Sequence, residues 1–146
     1  MAIYFYNPDE EPYGCFSNFS QHAFELDGLR WPTSEHYFQA QKFVGTHHAE
    51  EIRLAKTPEN APQMGRDRAR PLRSGWRQIK DGIMRRGVLR KFQTHADIRA
   101  ILLGTGDDLI VEDAPHDDYW GCGEDGSGKN RLGEILMEVR SILRNS

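Results

Sequence analysis

Trp31-Pro32-Thr33-Ser34-Glu35-His36-Tyr37-Phe38-Gln39-Ala40-Gln41-Lys42-Phe43 is the stretch on which the fold turns. Pro32 stops a preceding strand, Thr33 or Ser34 can serve as N-cap, and the residues from about 34 to 44 read as a helix opening on a capped N-terminus. Glu35 lies in its first turn. At about 100° per residue, Glu35, Gln39 and Lys42 share one face, with Glu35 and Lys42 about 20° apart in azimuth and about 10 Å apart along the axis. Polar stripes of this kind are common on solvated helices. Tyr37, Phe38 and Phe43 surround this one, however, and a solvent-facing helix has no need of so many rings.

Upstream, Ile3 to Tyr6 reads as a strand, and Ala23–Leu26 and Leu29–Trp31 flank Asp27-Gly28, a two-residue hairpin signal. Downstream, a second helix covers about 48–56 and Thr57-Pro58-Glu59 starts a short third. Trp76, Ile79, Ile83, Leu89 and Phe92 mark a long amphipathic helix in spite of Gly82 and Gly87. Thr94 caps the next, which turns Ile98, Ile101 and Leu102 inward and ends at Gly104. Leu109-Ile110-Val111 is a strand, 115–130 is polar and glycine-rich, and Leu132, Ile135, Leu136, Val139, Ile142 and Leu143 form a closing helix. The sum is an α+β fold, a helix-rich single domain over residues 1–146 around a small, mainly antiparallel sheet.

A chain of 146 residues can bury one core, and no composition break divides it. The first residues lack the basic region of a signal peptide, and no apolar run approaches a membrane span. Cys15 and Cys122 form no paired motif, which fits a reducing, cytoplasmic setting. The net charge is −3, yet residues 53–91 hold 12 of the 19 Lys and Arg against three acids, so that segment carries +9 and the remainder −12. Many of these cations belong to solvated helix faces. A local excess in an acidic protein still favours a small phosphorylated ligand over extended duplex binding.

Several chemistries are excluded by pattern. Gly123-Glu124-Asp125-Gly126-Ser127-Gly128-Lys129-Asn130 imitates a phosphate-binding loop, but Asn130 stands where a hydroxyl must bind magnesium, and no buried strand precedes it. Its glycines, Lys129 and the start of the closing helix are still able to cradle a phosphate. His47-His48 beside Glu50 and Glu51 read as a hydrated pair, so no metal is expected. No Gly-x-Ser-x-Gly elbow occurs, and neither cysteine has the surroundings of a nucleophile. No cofactor is called for.

Five segments together resemble the NADAR (YbiA-like) N-glycosidase family: Trp31–Phe43, Phe16-Ser17-Asn18-Phe19, Met64-Gly65-Arg66-Asp67-Arg68, Tyr119-Trp120-Gly121, and Gly126–Gly133. The resemblance spans nearly the whole chain, with the motifs in the family's order. It implies hydrolysis of the N-glycosidic bond of phosphoribosylamino-pyrimidine intermediates of riboflavin biosynthesis, or removal of ADP-ribose from guanine. A binding module for ADP-ribose or nucleotides, without turnover, is the contrasting class.

Cleaving such a bond builds positive charge on the anomeric carbon and negative charge on the departing nitrogen. Glu35 is the first choice for the carboxylate near the sugar. Trp120 and Trp76 can stack on a heterocycle, or else pack in the core. Asp117 can activate water or bind ribose hydroxyls, or simply brace a turn. Lys42 offers attack on a ring-opened aldehyde to give a Schiff base, which requires a lowered lysine pKa. The resemblance matches Glu35, Lys42, Trp76, Asp117 and Trp120 to functional positions, and adds Asn18, Arg66, Lys129 and Asn130 as ligand contacts.

Overall fold

A computed structural model describes residues 1–146. Strand β1 (Ala2–Phe5) is followed by a single 3-10 turn, the hairpin β2 (Phe24–Leu26) and β3 (Leu29–Trp31), and three short helices: α1 (Ser34–Gln41), α2 (His47–Arg53) and α3 (Asn60–Gly65). The long α4 (Trp76–Thr94), α5 (Ala96–Gly104), β4 (Leu109–Glu112) and α6 (Arg131–Arg144) complete the chain.

The α+β class holds, and its strands fall into two separate pairs. β2 and β3 are antiparallel about Asp27 and Gly28, whose φ values of 57° and 78° give the primed turn that matches strand twist. β1 and β4 are parallel, in register from Ala2 opposite Leu109 to Phe5 opposite Glu112. The expectation of a mainly antiparallel sheet is corrected here. Strands from distant parts of a chain, joined through helices, are free to run the same way, and that is what β1 and β4 do.

Helix α1 sits at the centre. Thr33 Oγ1 accepts the His36 N–H at 3.1 Å, the predicted cap, and the helix ends at Gln41 with Lys42 as its C-cap, a little short of residue 44. Every residue from Ser34 to Gln41 is buried. The polar stripe is therefore enclosed by protein. Phe38 joins the larger apolar cluster with Phe5, Phe16, Phe92, Ile110 and Leu136. Tyr37, Ala40 and Phe43 join a smaller one with Phe24, Trp31, Ile52 and Ala61. Each fully buried large side chain contributes about 1.5–3 kcal/mol, so α1 is held from both sides.

Gly87, an apparent flaw in α4, has a packing reason. A Cβ there would stand 2.7 Å from Tyr37 Cδ2, so the missing side chain lets α4 lie against the Tyr37 ring. Thr94 closes α4, and the turn into α5 is instead made by His95, with Asp97 Oδ1 accepting the Ile98 N–H at 2.8 Å. No helix is long and apolar enough to cross a membrane. Cys15 and Cys122 are both free thiols.

Candidate active site

A cavity of about 580 Å³ opens where α1, the end of β4 and the 114–120 loop converge. Glu35, Phe38 and Gln39 of α1 form one wall, and Ser17, Asn18 and Phe19 a second. Glu112, Ala114, His116, Asp117 and Trp120 form a third, while Arg66 lies at the rim beyond α3.

Asn18 fixes the α1 wall. Its backbone carbonyl accepts the Glu35 N–H at 3.1 Å, and its Oδ1 accepts the Ser34 hydroxyl at 2.8 Å. Glu35, only 8 % exposed, accepts a hydrogen bond from Gln39 Nε2 at 2.8 Å. Burial raises its pKa and Asp117 adds to the rise, against the opposing pull of the Gln39 bond, Lys42 and Arg66. Gln39 Oε1 is buried and without a partner. Gly65 makes room for that amide, since a Cβ on it would come within 2.0 Å of Oε1.

Asp117 Oδ1 accepts the backbone N–H groups of Tyr119 at 3.0 Å and Trp120 at 2.9 Å, which leaves Oδ2 free for the cavity. The Trp120 ring is held edge-on by Phe38 at 5.3 Å and by Tyr119 at 4.8 Å. It is only half-buried and lines the opening, the position a stacking platform needs.

Lys42 stands behind this cavity. It lines a neighbouring hollow of about 620 Å³ with Phe43, Arg66, Arg68, Arg70 and Leu72, and its Nζ donates to the Gly65 carbonyl at 3.4 Å. Burial lowers its pKa while Glu35 pulls it back up. Arg66 borders both hollows. Trp76 is 7 % exposed and packs on Phe38 at 5.2 Å, so it closes the core between the hollows and touches only the second.

The structure therefore brings Glu35, Asn18, Arg66, Asp117 and Trp120 into one cavity, with Lys42 and Trp76 on its far side. It does not bring Lys129 and Asn130 there. The side chain of Asn130 binds β4, with Oδ1 accepting the Glu112 N–H and Nδ2 donating to the Ile110 carbonyl, each at 2.9 Å. The Lys129 ammonium is exposed and lies 5.5 Å from the Tyr119 ring centroid. The phosphate cradle expected in this loop is also corrected. Backbone N–H groups of Gly128, Lys129, Asn130, Arg131 and Leu132 all donate to carbonyls between Asp118 and Cys122, so none of these five is left for an anion.

The imidazoles of His47 and His48 do approach Glu51. Arg70 already occupies that corner, donating to His48 Nδ1 at 2.9 Å and to Glu51 at 2.8 Å. Its fixed guanidinium charge opposes a second cation there.

Glu112 was not foreseen. It ends a strand whose other residues are apolar, and a carboxylate in that place was the available signal. Burial, then the charges of Asp117 and Glu35, push its pKa up to about 8.

The NADAR domain model matches residues 4–144. The protein named N-glycosidase Npun_R5314 from Nostoc punctiforme is 53% identical over 148 residues, which is 99% of this chain and 94% of the relative. N-glycosidase YbiA of Escherichia coli is 50% identical, covering 97% of this chain and 88% of its own. The solution NMR structure of the E. coli protein superposes with a TM-score of 0.91 over 99% of this chain and 86% of that one, at 48% identity. A maize protein named riboflavin biosynthesis protein PYRR is 41% identical over 90% of this chain, a match to 23% of its own length. The chain belongs to the NADAR family. Within it, the chain falls in the class of N-glycosidases, hydrolases acting on N-glycosyl compounds.

Proposed function

We propose that the protein hydrolyses the N-glycosidic bond of phosphoribosylamino-pyrimidine intermediates of riboflavin biosynthesis, acting in the cytoplasm as one unit over residues 1–146. The observation that carries this reading is the convergence of Glu35, Asp117, Trp120 and the unpaired Arg66 on a single cavity. Trp120 stacks on the pyrimidine, a contact of about 1–3 kcal/mol in comparable cases. Arg66 meets the 5′-phosphate, because it has no acidic partner in the protein and a guanidinium binds phosphate in a fork. As the C1′–N bond lengthens, Glu35 faces the positive charge growing at C1′, and Asp117 Oδ2 is placed to accept a proton from the attacking water.

The riboflavin names of the maize relative and of a Vibrio vulnificus relative support this substrate class. Removal of ADP-ribose from guanine is the second reading. It draws on the neighbouring basic hollow, where a second phosphate would meet Arg68 and Lys42. Incubation with both substrate types and mass detection of released base and sugar phosphate decides between them. Release from neither substrate refutes both.

The attacking group is open to its own test. Lys42 has a pKa lowered by burial, as an imine-forming amine requires. Borohydride added during turnover traps a sugar phosphate on the peptide containing Lys42 if the route is a Schiff base. Turnover without an adduct assigns attack to water.

A further inference from the structure

We propose that Glu112 is the general acid of this cavity, giving its proton to the leaving nitrogen of the base while Glu35 and Asp117 serve the sugar side. The inference rests on the glycosidase reading above and adds the one role that reading leaves unfilled. Four carboxyl groups line the same space; Glu10 is exposed, and the other three differ in what holds them. Glu35 has the Gln39 amide at 2.8 Å and Asp117 has two backbone N–H groups. The Glu112 carboxyl accepts no hydrogen bond from the protein, although its backbone is clamped by Asn130 Oδ1 on its N–H and by the Cys122 N–H on its carbonyl. A rigid main chain thus presents an unpartnered acid to the cavity.

The other titratable and charged groups that line this space are Glu35 from α1, Arg66 from beyond α3, His116 and Asp117 from the following loop, and Tyr6 and Glu10 from the segment after β1. Arg66 is the only Lys or Arg among them, and it must also serve a phosphate. With one Arg against four carboxylates, the enclosed one that lacks hydrogen-bond donors keeps its proton, whereas Glu10 is exposed to water. Its raised pKa, about 8, agrees with that assignment.

The step balances without any further reactant. The C1′–N bond breaks with its electron pair going to nitrogen, which takes the Glu112 proton and leaves as a neutral amine. The water oxygen bonds to C1′ and its proton passes to Asp117. Transfer of that proton back to Glu112 restores the starting state, and the net change is consumption of one water.

The test compares two leaving groups on the whole protein: the phosphoribosylamino-pyrimidine, whose nitrogen needs a proton, and p-nitrophenyl ribofuranoside 5-phosphate, whose nitrophenolate does not. Glu112→Gln should lower kcat on the first by about 10²–10⁴ and on the second by less than about tenfold. Glu35→Gln should lose both. In the wild type, activity on the first should fall above about pH 8, and Glu112→Gln should remove that alkaline limb. Equal losses on both substrates, or an unchanged alkaline limb, overturn the acid role while leaving the glycosidase reading intact. Failure of the wild type to cleave the N-glycoside overturns both. Carbon-detected NMR titration of the wild-type Glu112 carboxyl guards against a variant that does not fold. A midpoint in the ordinary glutamate range also refutes the proposal.

Discussion

The hollow on one side of Arg66 is lined by Glu10, Glu35, Glu112 and Asp117, whereas the hollow on the other is lined by Lys42, Arg68 and Arg70, with Asp67 as its one acid. The acids of the first outnumber their counter-charges, and burial pushes the carboxyls of Glu35 and Glu112 upward. The bases of the second are partly spent, Lys42 on the Gly65 carbonyl and Arg70 on Glu51. Such a gradient suits a substrate that develops positive charge at its sugar and carries permanent negative charge on a phosphate. Under the proposed function the sugar lies on the acidic side and the phosphate toward Arg66.

Breaking the acidic side should have the largest effect. Glu35→Gln removes one charge at nearly constant volume, so kcat should fall by about 10²–10³ while the melting temperature and ligand affinity change little. Steady-state kinetics and thermal unfolding check both halves. Activity within a few-fold of wild type would detach Glu35 from the chemistry.

At the boundary the expected effect is smaller and of another kind. Arg66→Ala should raise KM roughly ten- to a hundredfold, the scale of one hydrogen bond to a charged group, with much less change in kcat. A dephosphorylated substrate should not distinguish variant from wild type. A matching loss on that substrate would make Arg66 structural.

The smallest effect sharpens the contrast by adding an enclosed charge. Lys91, 1 % exposed, lies behind the Ser17–Phe19 wall of the acidic hollow and donates to the Ser17 carbonyl at 2.9 Å. Burial lowers its pKa to about 7, against an ordinary 10.5. Between those values the unfolded chain binds more protons than the folded one, so stability should rise with pH through that window. Calorimetry from pH 6 to 10 should show the wild-type melting temperature gaining up to about ten degrees on Lys91→Met across about pH 7–10. A constant difference would mean that Lys91 titrates alike in both states.

Local signals carried the reading of most elements. The Thr33 cap, the Asp27-Gly28 turn and the apolar spacing of α4 and α6 act within a few residues, and all four features are present. The basic excess of residues 53–91 was visible but not its use. Arg53, Arg85 and Arg86 pair with Glu50, Glu138 and Asp27, while Lys80 sits over the Tyr119 ring. Asn130 and the glycine-rich loop were misread because their partners, β4 and the 118–122 carbonyls, are fixed by tertiary packing. Glu112 stayed hidden for the same reason: nothing near it in sequence shows that Glu35 will face the same space.

The parallel pairing of β1 with β4 has a consequence for how the molecule comes into being. Ala2 waits for Leu109, and the ladder that ends at Glu112 is the closure that sets the cavity's third wall. Contacts this distant along the chain form slowly, because loop entropy must be lost before they are rewarded. A chain still emerging from the ribosome can already hold the β2–β3 hairpin and α1 to α3, yet it has no finished pocket. Competence therefore waits for β4, and a nascent fragment that stalls before that strand should be catalytically silent.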